Sequence, residues 1–420
     1  MRNIYTPVIS VGLEHMLVTV PYEAPIRQWS LASPSVMADI LYHKYAMAVP
    51  LYRQEKMFSD FGAAISRQTM CNWVFYASFS YFGPICDYLI QKQLEIKYHQ
   101  CDETTLQVNR DGRAAGRKSY IWLHATSEMA GADPIIVFSF ELTRGTEHLR
   151  KFYRDFRGYI TCDAYCSYQI LAKENESVII VCGCMMHMRR RFVESLSLVD
   201  KSGLDDDAIA QLPETKALVL IGKIYDADEP LKSLSADERK DRRDKEVKPL
   251  VDEYFQYIES LDTDDPLMGE RLKGAIQYSI NQKEYLCRFL SDGHIPIDNG
   301  FAERSIRSLA IGRRNFLFCD SVEGAKATAI MYSIVETARA NKANVYWYLR
   351  YILEKMPHDT DCPDGEFMEK MMPWSDDYRE YEKLRSSQGP PELGENEYRE
   401  RPRNPRKSRK HINSKLQQSA

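Results

Sequence analysis

Glu303 falls on the predicted first turns of a short helix, beside Arg304 and Arg307, in the segment IPIDNGFAERSIRSLAIGRRNFLF at 295–318. Ala302, Ile306 and Leu309 recur at helical spacing as an apolar stripe, Asn299 is placed to cap the helix, and Glu303 lies at the stripe's edge. One acid among many cations is ordinarily a surface ion pair worth little. Asp102 and Asp163 change that reading, because both fall on or at the end of predicted strands. Three converging carboxylates suit a hard divalent cation, since Mg²⁺ takes oxygen ligands and keeps several waters. Two such ions about 3.5–4 Å apart stabilise the attacking and departing oxygens at a phosphodiester.

Each acid has a plainer role beside this one. Asp102 is followed by Glu103, and a strand directs the two to opposite faces, so alternation alone does not choose between them. Asp163 is placed to cap a helix beginning near Ala164. Glu303 is equally readable as a surface ion-pair partner. The cations nearby, Arg304, Arg307, Arg313 and Arg314 with Arg189, Arg190 and Arg191, are candidates for phosphate contacts, arginine's planar fork matching phosphate oxygens. A solvated face is the plain reading of the same runs.

The elements that must position these groups follow from the change of period along the chain. The first 25 or so residues alternate as a short strand or hairpin. Residues 35–48 are patterned as a helix that Pro50 ends, and LYRQEKMFSDFG starts another. Gly62 makes a turn before a helix capped by Ser66, which reads as a helix-turn-helix or as an ordinary helical hairpin. The period then drops from 3.6 to 2: LEIKYHQCDETTLQV, YIWLHAT and PIIVFSFEL are three strands in a meander. GTEHLRKFYRDF is a helix, GYITCDAYC a strand ending at Asp163, SYQILAKE a helix, SVIIVCG a strand, and CMMHMRRRFVESL a helix. This order predicts an α/β (α+β) chain of ribonuclease-H-like type, a mixed five-stranded sheet flanked by helices. Its first and fourth strands would be neighbours, bringing Asp102 to Asp163. The expected organisation is an N-terminal helical region at 1–93, the first part of the core at 94–192, and a helical insertion at 193–290. The remainder of the core, with Glu303, follows at 291–357, and 358–420 is a C-terminal segment ending in a basic, disordered tail.

Composition sets outer bounds. The chain has 420 residues, 44% of them apolar, enough for a large core. No run approaches the roughly 18 apolar residues of a membrane span, and the start lacks the pattern of a signal peptide. Ten cysteines without a CxxC pair point to reduced thiols in a cytoplasm rather than to a zinc ribbon. The net charge of −4 does not advertise nucleic-acid binding, but basic runs at 189–191, 304–314 and 401–410 are segregated from acidic ones.

With these motifs in view, the chain resembles the insertion sequence 66 family of transposases over residues 25–374. The resemblance rests on PLYRQE (50–55), SRQTMCNWV (66–74), CDETTLQV (101–108), GYITCDAYCSY (158–168), CMMHMRRRF (184–192), the Glu303 segment, and MMPW (371–374), in that order. It implies a DDE transposase with Asp102, Asp163 and Glu303 as the acidic triad, and it selects Asp102 over Glu103. It also implies two Mg²⁺ ions, with Mn²⁺ as a substitute, and a reaction that cleaves transposon ends and joins them to target DNA. The implied partners are DNA, further copies of the chain and accessory proteins from the same element, in a bacterial cytoplasm near the nucleoid. The C-x-x-H spacing of Cys184 and His187 is similar to an element of several DDE families, although a lone Cys/His pair on a helix is more often packing than metal binding. Two departures stand out. The family commonly carries a DNA-binding, cysteine-rich region ahead of the position of Pro25, so a shortened copy or a separate end-recognising polypeptide is expected here. Met185 and Met186 replace the usual Trp and small residue. The competing expectations are an inactive remnant that only binds DNA, another ribonuclease-H-like nuclease, and a helical interaction module whose acids are surface groups.

Overall fold

A computed structural model describes the backbone at 8–11 and 16–19 and residues 32–114, 116–356 and 364–387; the expected basic tail at 401–410 lies outside these. The chain divides into two compact units, Met1–Glu382 and Lys383–Ala420, and the sheet, its helices and the acidic residues all belong to the first. Strands β1 (Val8–Val11) and β2 (Met16–Thr19) pair antiparallel, as the alternation near the start predicts. Helices α1 (Pro34–Leu41), α2 (Leu51–Asp60), α3 (Arg67–Ala77) and α4 (Gly83–Glu95) follow. Ser66 caps α3 by accepting the Thr69 N–H at 3.1 Å, and Gly62 supplies the left-handed turn before it with φ +82°.

The core is a ribonuclease-H-like mixed sheet. Its strands are β3 (Tyr98–Leu106), β5 (Ser119–Thr126), β6 (Ile135–Glu141), β7 (Gly158–Cys162) and β8 (Ile179–Gly183), with a short β4 (Val108–Arg110) after β3. They lie in the order β6-β5-β3-β7-β8, the first three antiparallel and the last two parallel to β3. Helices α5 (Thr146–Phe152) and α6 (Cys166–Glu174) cover one face, where Cys101, Trp122, Ile160, Cys162 and Val181 pack with Leu149 and Tyr168. The next residue along each strand points the other way. On that second face Leu106, Leu123 and Phe138 meet the largest core, and Cys182 packs with helix α7 (Met185–Leu196).

From α7 to Leu290 the described residues form helices and no strand: α8 (Asp206–Gln211), α9 (Pro213–Asp228), α10 (Ala236–Arg242), α11 (Lys248–Glu259), α12 (Glu270–Asn281) and α13 (Lys283–Cys287). Helix α14 (Gly300–Phe316), strand β9 (Cys319–Ser321, parallel to β4) and helices α15 (Val322–Ala340), α16 (Val345–Lys355), α17 (Gly365–Lys370) and α18 (Asp376–Ser387) complete the described residues. Helix α15 seals the open edge of β6. Ser333 Oγ accepts the Phe138 N–H at 2.8 Å, and Thr337 Oγ1 accepts from Ile136 N at 3.0 Å. An exposed row of strand amides would otherwise invite pairing with another chain. Gly312 lets α14 lie against α15, since a Cβ there would meet the Tyr332 hydroxyl at 2.1 Å. No helix among the described residues is long and apolar enough to cross a membrane.

Candidate active site

Parallel pairing of β3 with β7 matches Tyr98 to Tyr159 and Gln100 to Thr161. Continuing that register sets Asp102 opposite Asp163, on strands about 4.8 Å apart. Both acids lie on the sheet face that α14 crosses. Cys101 and Cys162, their neighbours in sequence, are buried in the opposite core. The same alternation disposes of Glu103. It is turned toward α6, accepts a hydrogen bond from Tyr168 Oη at 3.0 Å and is held by the Arg144 guanidinium, with Nε at 2.6 Å. Topology thus separates the two adjacent acids that the sequence pattern left open.

Helix α14 is anchored to β3 at two points. The Asn299 side-chain amide donates to the Cys101 carbonyl at 2.6 Å, and Arg313 reaches the Thr104 hydroxyl at 3.1 Å and the Thr105 carbonyl. Asn299 therefore occupies the N-cap position without capping, contrary to the expectation from its type, because its amide is spent on β3. Asp163 is not the cap of α6 either. Its Oδ1 accepts the Tyr165 N–H at 3.0 Å in a local turn, and the N-cap position is Tyr165. Its other oxygen lies 3.8 Å from Arg144.

Among these acids Asp102 alone has no ion pair among the described residues. Burial, then the charge of Glu103, then those of Asp163 and Glu303 push the Asp102 carboxyl up to about 7. Glu303 is not paired with Arg304 or Arg307 as sequence proximity suggests. Its Oε2 meets Arg190 of α7 at 3.2 Å, while its Oε1 is 3.6 Å from His187 Nδ1. Burial lowers the His187 pKa, which favours the neutral ring. Both Oε1 and Nδ1 are buried without a hydrogen-bond partner among the described residues.

A cleft of about 360 Å³ opens here, lined by Arg144, Asp163, His187, Arg190 and Arg191, with Tyr278 from α12. Arg191 stacks on the Tyr278 ring at 4.0 Å. Arg304, Arg307 and Arg314 form an exposed stripe along α14 and make no ion pair among the described residues, whereas Arg313 is turned inward to β3. Arg189 is exposed on α7. Sequence reading missed Arg144 and Tyr278, which lie outside every motif that it singled out. It did single out Cys184 and His187, and the structure brings both to Glu303, one ligand atom from each lying within 4.8 Å of the others.

Comparison with known proteins adds a family. The model described as "Transposase IS66 family" matches residues 29–327, and that of the "IS66 C-terminal element" matches 333–374. Uncharacterized protein y4qI of Sinorhizobium fredii (strain NBRC 101917 / NGR234) is 27% identical over 82% of this chain and 63% of its own length. From the same strain, y4jD is 25% identical (86% of this chain, 70% of its own length), and y4hP is 27% identical (84% and 64%). The chain thus spans a little under two thirds of the length of y4qI and y4hP.

Proposed function

The chain belongs to the IS66 transposase family, and on that premise we propose that its cleft performs divalent-metal-dependent cleavage and joining of DNA in transposition. The observation that carries this reading is the matching register of β3 and β7, which brings Asp102 beside Asp163 on the face that α14 crosses, where burial first, and then the charges of Glu103, Asp163 and Glu303, push the Asp102 carboxyl up to about 7. An oxygen-rich cluster with one carboxylate oxygen left unpartnered fits Mg²⁺ or Mn²⁺. Asp102, Asp163 and Glu303 would hold the ions, which when bound supply Lewis acidity at a phosphodiester oxygen.

The chain's own groups do the rest. The sheet fixes the separation of Asp102 and Asp163, and Asn299 and Arg313 fix the height of α14 and hence of Glu303. Arg144 holds Glu103 on the far face and keeps it out of the ligand set. Arg304, Arg307 and Arg314 run along α14 from the acid cluster and would grip successive phosphates, positioning DNA without reading its sequence. Arg189, Arg190 and Arg191 extend the basic surface along α7. The substrates would be element ends and target DNA, handled by more than one copy of the chain because two ends must be joined together.

The test is a strand-transfer assay with purified protein, DNA carrying the element's ends and Mg²⁺. Cleaved and joined products that vanish in Glu303→Gln, with binding retained, are expected. DNA binding without cleavage by the unaltered chain would mark a non-cutting remnant. Equal cutting of DNA lacking the ends would mark a different nuclease.

A further inference from the structure

We propose that Cys184, His187 and Glu303 form a three-ligand site for a borderline-soft divalent cation, zinc foremost, between the first turns of α7 and α14. The site lies beside the acidic triad and shares Glu303 with it, but its donor set is different. One sulfur, one imidazole nitrogen and one carboxylate oxygen suit zinc and cobalt and suit Mg²⁺ poorly.

Geometry carries the assignment. His187 Nδ1 and Glu303 Oε1 are 3.6 Å apart, too far for a hydrogen bond. Two donors bound tetrahedrally to zinc at about 2.1 Å stand about 3.4 Å apart, so the observed gap is close to that of two ligands flanking one ion. Both atoms are buried and lack any hydrogen-bond partner among the described residues, a costly state that a cation between them would relieve. Cys184 Sγ lies within 4.8 Å of a ring nitrogen of His187 and a carboxylate oxygen of Glu303. The sulfur accepts the Asn299 N–H at 3.2 Å, a support of the kind that holds metal-bound groups in place. Arg190 occupies Glu303 Oε2 and so leaves Oε1 as the ligand. His187 lines the cleft, which provides a way in for the ion and room for water as the fourth ligand. As the sulfur–metal bond forms, the thiol proton leaves to solvent.

One consequence rests on the proposed strand transfer: zinc at this site draws Glu303 away from the triad and inhibits the Mg²⁺-dependent reaction. Binding itself does not depend on that reading. The experiment titrates chelator-stripped full-length protein with Co²⁺. One equivalent should produce a thiolate-to-cobalt charge-transfer band and tetrahedral ligand-field bands, both displaced by Zn²⁺. Cys184→Ser should abolish the charge-transfer band with an unchanged far-ultraviolet circular dichroism spectrum, and His187→Gln should weaken cobalt binding at least about tenfold. No thiolate band in the unaltered protein overturns the site, as does a band that survives Cys184→Ser or an affinity indifferent to His187→Gln. Strand transfer measured separately with a zinc-selective chelator and Mg²⁺ distinguishes the two ideas, because its failure leaves the cobalt result untouched.

Discussion

Two clusters of buried charge in this molecule are treated in opposite ways. Among the helices between β8 and α14, Arg243 is fully buried and pairs with Asp228 through two hydrogen bonds of 2.7 and 3.2 Å. Its remaining donors reach the carbonyls of Phe289 at 2.9 Å and Ile295 at 2.8 Å. That guanidinium ties the ends of α9 and α10 to the loop leading into α14, and its main polar demands are met. At the edge of the sheet, Asp102, Glu303 and His187 are also largely buried, yet acids face acids and two ligand atoms have no partner. Satisfied burial of a charge marks architecture. Unsatisfied burial, beside a cleft, marks a place prepared for a ligand that the chain does not itself provide.

The sharpest way to break this contrast is to remove charge from each cluster. Asp102→Asn, Asp163→Asn or Glu303→Gln should each reduce strand transfer by about a thousandfold or more, with thermal stability unchanged or improved. Matched activity and melting measurements check this, and a marked fall in stability would place the acids in the architecture instead. Arg243→Ala should do the reverse and destabilise the fold by roughly 3–5 kcal/mol, because Asp228 is left buried and uncompensated. Denaturant titration reads that loss. The double replacement Arg243→Met with Asp228→Leu should recover much of it.

A milder test uses protonation. Burial depresses the His99 pKa to about 4 and lowers that of His124 as well. Both rings are therefore neutral in the fold, while the unfolded chain takes up protons below about pH 6.5. The contribution of these rings should be flat above that pH and be lost, by on the order of 3 kcal/mol for His99, as the pH drops toward 4, opposite in sign to that of Asp102, whose raised carboxyl takes up its proton first in the fold. His99→Gln should flatten that slope, as urea titrations across the range would register. The smallest effect is expected at the surface. Each of Arg304→Ala, Arg307→Ala and Arg314→Ala should weaken DNA binding without altering sequence preference and lower the salt slope by about 0.9. Arg313→Ala should instead loosen α14, visible as a lower melting temperature.

Much of this was legible in the residues. The short apolar runs in YIWLHAT and PIIVFSFEL and the apolar stripe of α14 report burial directly, so the strand order and the helical stretch from 193 to 290 could be anticipated. The nearness of Asp102 to Asp163 followed from topology, because adjacent parallel strands carry them in matching register. What stayed hidden depends on contacts between distant segments. Nothing around Arg144 announces that it will hold Glu103, and nothing around Asn299 says its amide will go to Cys101 rather than to its own helix. Proximity in sequence also misled. Arg304 and Arg307 stand next to Glu303 along the chain, but the helix turns them outward, and Arg190, more than a hundred residues earlier, reaches it.

Asp102, Asp163 and Glu303, and not Glu103, are the groups proposed to bind a divalent ion at the end of the central strands. Anomalous diffraction from crystals of the full chain soaked in Mn²⁺ tests this most directly. The predicted result is a peak within about 2.5 Å of carboxylate oxygens of both Asp102 and Asp163, with Glu303 turned to it or to a second peak beside it. A peak bound through Glu103, or no peak in the cleft at saturating Mn²⁺, would contradict it.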